Sequence, residues 1–388
     1  MPVIMALSSL GFMIGTGGSA LVAFTLGEGN KERANQIFSM LVEVIILVGV
    51  VVSTVGIIFM PQLVRLLGAS TLIFDDCVLY GRILLVALTF FMLANSFQSF
   101  LVTAERASLG LLITITAGVI NMLLDYLFVC VFHGGIAGAA YATAIAQIVG
   151  GILPMIYFIR QNKSLLQFKI TKFDFHVITK ACANGSSEMM SNLSTSLIGI
   201  LYNFQLMKYA SVNGIAAYGV IMYVSFIFIA IYMGYSIGIG PVIGYNYGAD
   251  RKIELKNVLS KSLMLVSCAA ITMTVIATCF VGPIAKIFVG YDSELMDMTK
   301  KAMTLYSLSF LFSGFNIFGS AFFTGLNNGK ISAIISFVRT WVIEIASILL
   351  LPLILGMDGV WLAIVVAEGT ALIVTALMIF VNKKKYGY

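Results

Sequence analysis

Long apolar stretches alternate with short polar connectors along the whole chain. Most stretches contain about 20 residues or more, the length that an α-helix needs to cross a hydrocarbon layer about 30 Å thick. Because the connectors are short, consecutive helices are expected to be antiparallel neighbours. Segments 61–77 and 283–298 are predicted to be short amphipathic pieces. The pattern predicts eleven spanning helices, with approximate bounds 2–25, 37–59, 79–104, 107–132, 136–159, 178–207, 215–240, 257–280, 299–323, 331–354 and 360–382.

Composition strengthens the membrane interpretation and excludes other classes of protein. Of the 388 residues, 60% are hydrophobic and 10% are charged, whereas about a quarter of a soluble domain is charged. The basic residues form no stripe with interleaved aromatics, which argues against nucleic-acid binding. Five cysteines and two histidines match neither a disulfide framework nor a metal site. No nucleophile–base pair indicates an enzyme, and the N-terminus lacks the features of a signal peptide.

The distribution of Lys and Arg predicts the orientation in the membrane. If the loops alternate, five basic residues fall on one side, namely Arg65, Lys208, Lys286, Lys300 and Lys301. Fifteen fall on the other side: Lys31, Arg33, Arg106, Arg160, Lys163, Lys169, Lys172, Lys180, Arg251, Lys252, Lys256, Lys330, Lys383, Lys384 and Lys385. The bias places the C-terminus in the cytoplasm, and eleven spans then place Met1 outside.

The chain contains an internal repeat at an offset of 221 residues. Segment 25–42, TLGEGNKERANQIFSMLV, aligns with segment 246–263, NYGADRKIELKNVLSKSL. The same offset superposes the pattern N-x-F-x-S-x3-T that begins at Asn95 on the one that begins at Asn316. With three additional residues, Gly135 aligns with Gly359. A fixed offset shared by separate motifs indicates a duplicated structural unit.

The repeat predicts the domain organisation. Residue 1 corresponds to residue 222, so the helix at 178–207 has no counterpart in the first half. We therefore expect an all-α polytopic fold with two six-helix lobes as parallel repeats, from which this chain lacks the first of twelve helices. The expected N-lobe is 1–159 and the expected C-lobe is 178–388. The basic segment between them, 160–177, is predicted to be a cytoplasmic linker rather than a calmodulin-binding or lipid-sensing helix.

Four long motifs resemble the multidrug and toxic compound extrusion (MATE) transporters of bacteria, and the resemblance extends over essentially the whole chain. They are MIGTGGSALVAFTLGEGNKERA (13–34), NMLLDYLFVCVFHGGIAGAAYATAIAQ (121–147), AYGVIMYVSFIFIAIYMGYSIGIGPVIGYNYGA (217–249) and FSGFNIFGSAFFTGLNNG (312–329). The resemblance implies a monomer in the cell membrane, without a cofactor, that exports organic cations or drugs against inward Na⁺ or H⁺ flow. It also identifies the unmatched first helix as the one that carries an aspartate in the family. The alternatives are a lipid-linked oligosaccharide flippase of the same wider fold and a truncated membrane protein that does not transport.

Acidic side chains inside the spans are candidates for cation coupling because each costs about 2.5–3.5 kcal/mol at a helix centre. Glu188 is the first candidate, since it lies in a polar cluster and the resemblance implies a functional acid early in the seventh helix of the family. Asp125 follows Asn121 by four residues on one helix face, and the resemblance implies that this pair contributes to an N-lobe cation site. Glu344 lies five residues after Arg339, too far along a helix for a direct pair, so both are expected to contact other helices.

A second group of residues is predicted to line the substrate cleft. Asn192 extends the polar cluster around Glu188, and Asn95 and Asn316 are equivalent in the repeat. The two equivalent asparagines are consistent either with hydrogen bonds between helices or with positions in the cleft. Tyr223 and Phe226 are suited to an apolar cavity that accepts cations.

Overall fold

The fold is almost entirely helical. A computed structural model describes residues 2–66, 73–160 and 162–388, and this part of the chain contains no β-strand. Two helices continue into π-helical segments, Tyr126–Val131 after α4 and Val338–Glu344 after α11. The α-helices are α1 Pro2–Gly27, α2 Lys31–Leu66, α3 Phe74–Thr103, α4 Ala107–Asp125, α5 Gly135–Ile159, α6 Phe175–Gly248, α7 Lys252–Cys279, α8 Val281–Val289, α9 Ser293–Ser307, α10 Phe310–Gly325, α11 Gly329–Phe337, α12 Ile345–Leu355 and α13 Met357–Tyr386.

The spanning helices agree with the prediction once two bends are taken into account. Within the described ranges, nine helices are long and apolar enough to cross a membrane, and α9 with α10, bent by 44°, forms a tenth. Helix α6 contains 74 residues, which form two successive helices. It is interrupted by the non-helical Ser211, with φ 52° and ψ −146°. Because α6 covers both predicted spans 178–207 and 215–240, it counts as two, and the number of spans in the described residues is eleven, as predicted.

The predicted amphipathic piece 61–77 is wrong at both ends, because α2 continues through Pro61 to Leu66 and α3 begins at Phe74. The middle of that piece lies outside the described residues. Proline has no amide hydrogen to donate to the carbonyl four residues earlier, which is that of Ile57. The Nε of Arg82 donates to this carbonyl oxygen at 3.4 Å. A side chain on a neighbouring helix thus replaces the missing backbone donor, as membrane helices require.

Two other short segments differ from the sequence-based interpretation. The predicted piece 283–298 is divided between α8 and α9, and the span predicted at 299–323 is the bent pair. Residues 162–174 are not helical, which excludes the interpretation of this part as an amphipathic helix. It is an extended connector.

The described chain divides into two compact units, 1–189 and 190–388. The first unit includes the connector because the connector hydrogen-bonds along α2. The backbone amide of Gln167 donates to Asn35 Oδ1 at 2.8 Å, and that of Lys169 donates to Ser39 Oγ at 2.8 Å. Leu166 is fully buried in the core of this unit. The connector is therefore a structural part of the first unit.

Close helix contacts hold the first unit together. Gly17 of α1 faces the backbone of Ala181 and Gly185 of α6, where even one added methyl group would collide. Small residues allow membrane helices to approach in this way. The core also contains Phe38, which packs edge-on against Phe100 with ring centroids 5.1 Å apart.

The second unit has its own core around α6, α9 and α13. Trp361 is 1% exposed, and the rings of Tyr202 and Tyr218 stack with centroids 4.9 Å apart. Tyr232 donates its hydroxyl to the carbonyl of Phe310 at 2.9 Å. Each unit thus buries its own apolar and aromatic residues.

The internal repeat is visible in the turns between helices. Gly29 and Asp250, 221 residues apart, both have positive φ, 82° and 52°. Glu105 and Asn327, 222 residues apart, also share a positive φ, 59° and 55°. The backbone hydrogen bonds around each pair are the same. The amide of residue 30 donates to the carbonyl of residue 25 just as that of residue 251 donates to residue 246.

The same comparison corrects one alignment. Gly135 and Gly356, 221 residues apart, both have positive φ, 54° and 57°. Gly359 is therefore equivalent to Gly138, not to Gly135, and the offset of 221 continues into α5 and α13 without the three additional residues. The repeat is more regular than the sequence suggested.

Candidate functional site

The first unit contains a cavity of about 270 Å³ between α3, α4 and α5. The α4 wall is formed by residues three or four apart, from Gly110 to Asn121, which share one helix face. Most of the lining is apolar, and the polar groups are few, as in pockets that bind small molecules.

Three amide atoms at this cavity are buried without a hydrogen bond. They are Nδ2 of Asn95, Nδ2 of Asn121 and Oε1 of Gln147, and none has a partner among the residues that the structure describes. Asn95 is only 5% exposed. Leaving such a group unsatisfied costs about 1–3 kcal/mol. The cavity is therefore suited to a ligand that is mostly apolar and can both donate and accept hydrogen bonds.

Asp125 lies one turn beyond Asn121 on α4 and is half-buried. It directly precedes the π-helical segment Tyr126–Val131, and such segments often occur at functional sites. Its carboxylate is within electrostatic range of the Tyr80 hydroxyl on α3. The predicted pair of Asn121 and Asp125 is thus divided: the first lines the cavity and the second lies next to it.

The second unit contains a buried polar network at the corresponding place. The Nη2 of Arg339 lies 2.6 Å from Oε1 of Glu368, whose side chain is 3% exposed. The Nδ2 of Asn316 donates to the other carboxylate oxygen of Glu368 at 2.7 Å. Thr375 donates its hydroxyl to Asn316 Oδ1 at 2.8 Å. Asn316 is fully buried, and its side chain joins α10 to α13.

The cavity and the network occupy equivalent positions in the repeat. With offsets of 221 or 222 residues, the equivalent pairs are Asn95 and Asn316, Ala117 and Arg339, and Gln147 and Glu368. In the second unit the guanidinium of Arg339 bonds to Glu368. In the first unit the residue equivalent to Arg339 is the small Ala117, and the space is open. The same helix arrangement thus contains a cation in one unit and a cavity in the other.

Glu344, the predicted acid in the eleventh helix of the family, is 7% exposed and is the last residue of a π-helical segment. It is within electrostatic range of Arg339 and Glu368. The spacing correctly predicted that Arg339 pairs with another helix. The sequence places Glu368 among the weaker acidic candidates inside the spans, but it does not identify Arg339 as the partner, because the two residues are 29 positions apart. The presence of opposite charges inside two adjacent spans was the only available signal.

The remaining candidates lie along α6. Glu188 is half-buried in the first unit, one turn after Asn184, which donates to the carbonyl of Gly17 at 3.3 Å. Asn192 is half-buried in the second unit. Tyr223 is 65% exposed and stacks on Phe288 with centroids 6.0 Å apart.

Phe226 is 60% exposed. In the described part of the chain, no group of three or more His, Cys, Asp or Glu side chains is arranged to hold a metal ion.

Comparison with known proteins identifies the family. Residues 1–127 and 189–350 match the MatE family model. The chain is 23% identical over 397 aligned positions to "Multidrug export protein MepA" of Staphylococcus saprophyticus, covering 99% of this chain and 85% of that protein. It is 25% identical to "Probable multidrug resistance protein YoeA" of Bacillus subtilis, with the same two shares.

The fold is also found among solved structures. "Crystal structure of MATE in complex with MaL6" superposes with a TM-score of 0.94 at 20% identity and covers 100% of this chain and 87% of that one. At this identity the match shows that the fold is shared. The family match, which extends over most of the chain, shows more: this protein belongs to the MatE family of multi-pass membrane transporters.

Proposed function

We propose that this protein exports organic cations or drugs from the cell and that inward movement of Na⁺ or H⁺ drives the export. It would act as a monomer in the cell membrane with its C-terminus in the cytoplasm. The names of its relatives, "Multidrug export protein" and "Probable multidrug resistance protein", support small-molecule export. The cavity of the first unit is the structural observation that carries the proposal.

The equivalent place in the second unit supports a cationic substrate. At the equivalent place it contains a guanidinium bonded to Glu368 and enclosed by helices. The cavity of the first unit offers the same helix positions without the arginine and with the neutral Gln147 in place of Glu368, and three of its amide atoms are unsatisfied. An organic cation with an apolar body can occupy that space. Its N–H groups would donate to Gln147 Oε1, its acceptor atoms would accept from Nδ2 of Asn95 and of Asn121, and its apolar part would contact the surrounding side chains.

The coupling cation requires an acidic group, and Asp125 is the acid nearest to the cavity along α4. When Na⁺ or H⁺ neutralises this carboxylate, the electrostatic attraction for a cationic drug weakens and the drug is released. Glu188 and Glu344 are the other candidates for this role. Differential binding to two states is what allows an ion gradient to shift the equilibrium between them.

A design that copies the second unit into the first tests the substrate site. Variant A117R/Q147E recreates the buried Arg–Glu pair inside the cavity and is expected to fold but not to export ethidium from proteoliposomes. The matched control Q147E leaves the cavity open and is expected to export ethidium at least as well as the wild type. Unchanged export by A117R/Q147E would remove the cavity from the mechanism.

A second experiment tests coupling. Ethidium export is measured under an imposed Na⁺ gradient and, separately, an imposed pH gradient. D125N is expected to abolish the dependence on the driving ion, whereas D76N, which removes the same charge from an exposed site on α3, should retain it. The pair E188Q and E254Q repeats the comparison for Glu188, since Glu254 is exposed on α7. Export by wild-type protein that depends on neither gradient would refute cation coupling.

The flippase alternative is not supported by the described residues. A pyrophosphate-linked substrate needs free basic groups inside the membrane region. Three basic residues lie well inside the predicted spans: Arg339 is bonded to Glu368, Arg82 donates to the carbonyl of Ile57, and Lys261 is exposed on α7.

A further inference from the structure

A second concave surface of the first unit lies outside the transport site. It is a groove of about 960 Å³ between the beginning of α4 and the end of α5. Three basic residues, Arg106, Arg160 and Lys163, line it at one end. We call these residues the basic rim.

The basic rim is not neutralised by the protein. Arg106, Arg160 and Lys163 form no ion pair with any residue that the structure describes. Glu105 is the acidic residue next to the rim in sequence, so three positive charges and one negative charge leave a net charge of +2. By contrast, Arg33 in the same unit is paired with Asp174 at 2.6 Å.

The rim is held in place by the connector that follows α5. The Nδ2 of Asn162 donates to the carbonyl of Arg160 at 3.1 Å and to that of Tyr157 at 3.3 Å. The Nε2 of Gln167 in turn donates to the carbonyl of Asn162 at 2.8 Å. These bonds hold Asn162 against the end of α5, between the positions of Arg160 and Lys163.

Below the rim the walls are apolar and exposed. Leu112 of α4 is 61% exposed, and Leu153 and Ile156 of α5 are 38% and 40% exposed. Leu112 lies six residues after Arg106 and Leu153 lies seven before Arg160. The apolar walls therefore extend about 9–10 Å along the helices from the rim. This depth suits the upper part of an acyl chain rather than a small anion.

We propose that this groove binds one anionic phospholipid molecule. Its phosphate contacts the basic rim, and its acyl chains lie along Leu109, Leu112, Leu153 and Ile156. The rim lies on the side of the membrane that the distribution of Lys and Arg predicts to be cytoplasmic. Basic pockets between membrane helices on that side bind anionic lipid headgroups. Tyr157, which also lines the groove, is a residue type that is common at the headgroup level.

Native mass spectrometry of the delipidated full-length protein tests the proposal. Phosphatidylglycerol and phosphatidylcholine with identical acyl chains are added, and the affinity of the first bound lipid is measured. Wild-type protein is expected to prefer phosphatidylglycerol. Variant R106Q/R160Q/K163Q should bind it roughly one hundredfold more weakly, because each basic residue contributes about fivefold. R160Q alone should bind phosphatidylglycerol about fivefold more weakly, and it replaces the triple variant if that variant does not fold.

Two further variants separate a lipid site from general charge and from a phosphate site. R251Q/K256Q/K330Q removes three charges from the same predicted side and should leave the affinity unchanged. L112S/L153S retains every charge and should weaken phosphatidylglycerol binding by about fivefold to tenfold, without changing the binding of inorganic phosphate. The proposal would be overturned if the wild type bound both lipids with equal affinity. It would also be overturned if R106Q/R160Q/K163Q bound phosphatidylglycerol as tightly as the wild type does. An unaltered affinity in L112S/L153S would overturn it as well.

Discussion

The pair formed by Arg339 and Glu368 provides a quantitative test of the buried network. Replacing Arg339 by Met removes the cation and leaves the Glu368 carboxylate, 3% exposed, with the amide of Asn316 as its remaining side-chain donor among the described residues. Glu344, which is also in electrostatic range, remains as a second acid. Removing one partner of a buried ion pair costs about 3–5 kcal/mol, because the other charge is left uncompensated. R339M should therefore lower the free energy of unfolding by that amount.

The double variant R339M/E368Q should recover most of the loss, since it removes both charges. An exposed pair provides the control: Lys301 and Asp358 lie at the same 2.6 Å, but their side chains are 63% and 43% exposed. Because solvent screens that pair, K301M should cost at most about 1 kcal/mol. Unfolding of the purified protein by a denaturing detergent gives the free energies for the double-mutant cycle. The network does not have the role described if R339M lowers the free energy of unfolding no more than K301M does. The same conclusion follows if the loss in R339M/E368Q equals the sum of the losses in R339M and E368Q.

Three further predictions concern packing, pH and capping. G17A should destabilise the protein by about 1–3 kcal/mol, since the new methyl group meets backbone, whereas G199A, in open space, should be neutral or slightly stabilising in the same unfolding assay. The hydrogen bond from Arg33 holds the pKa of Asp174 below its usual value. Protection of the connector against hydrogen exchange should therefore be complete above the usual carboxyl pKa and should fall as pH drops through the lowered pKa. D174N should lack this pH dependence. Asp292 caps α9 by accepting from two backbone amides at 2.9 and 3.1 Å, so D292A should cost about 1 kcal/mol in a thermal unfolding assay, and no loss would contradict this role.

The two units show how one duplicated arrangement can serve different purposes. Asn95 and Asn316 are the same residue at equivalent positions, yet one faces a cavity and the other is enclosed in a hydrogen-bond network. The difference originates at the neighbouring positions. Ala117 leaves space, whereas Arg339 fills it and recruits Glu368. Specialisation of the units is therefore carried at this place by a few side chains at equivalent positions of the repeat.

Much of the fold could be predicted because its causes are local. Apolar stretches of spanning length, short connectors and a constant offset predicted the spans and the repeat, and both turn pairs bear this out. Boundaries were less predictable where another helix intervenes. Proline normally ends a helix, but α2 continues beyond Pro61 because Arg82, on another helix, satisfies the carbonyl of Ile57.

The sequence by itself determined the class of the protein, its repeated helices and the residue types available for cation chemistry, because hydrophobicity and helix period act between neighbours in the chain. Only the tertiary structure decided which of these residues meet. It brought Asn95, Asn121 and Gln147 to one cavity and enclosed Arg339 with Glu368. The reason is physical: a buried polar atom must find a partner or a ligand, and that partner is determined by how helices pack in space, not by distance along the chain.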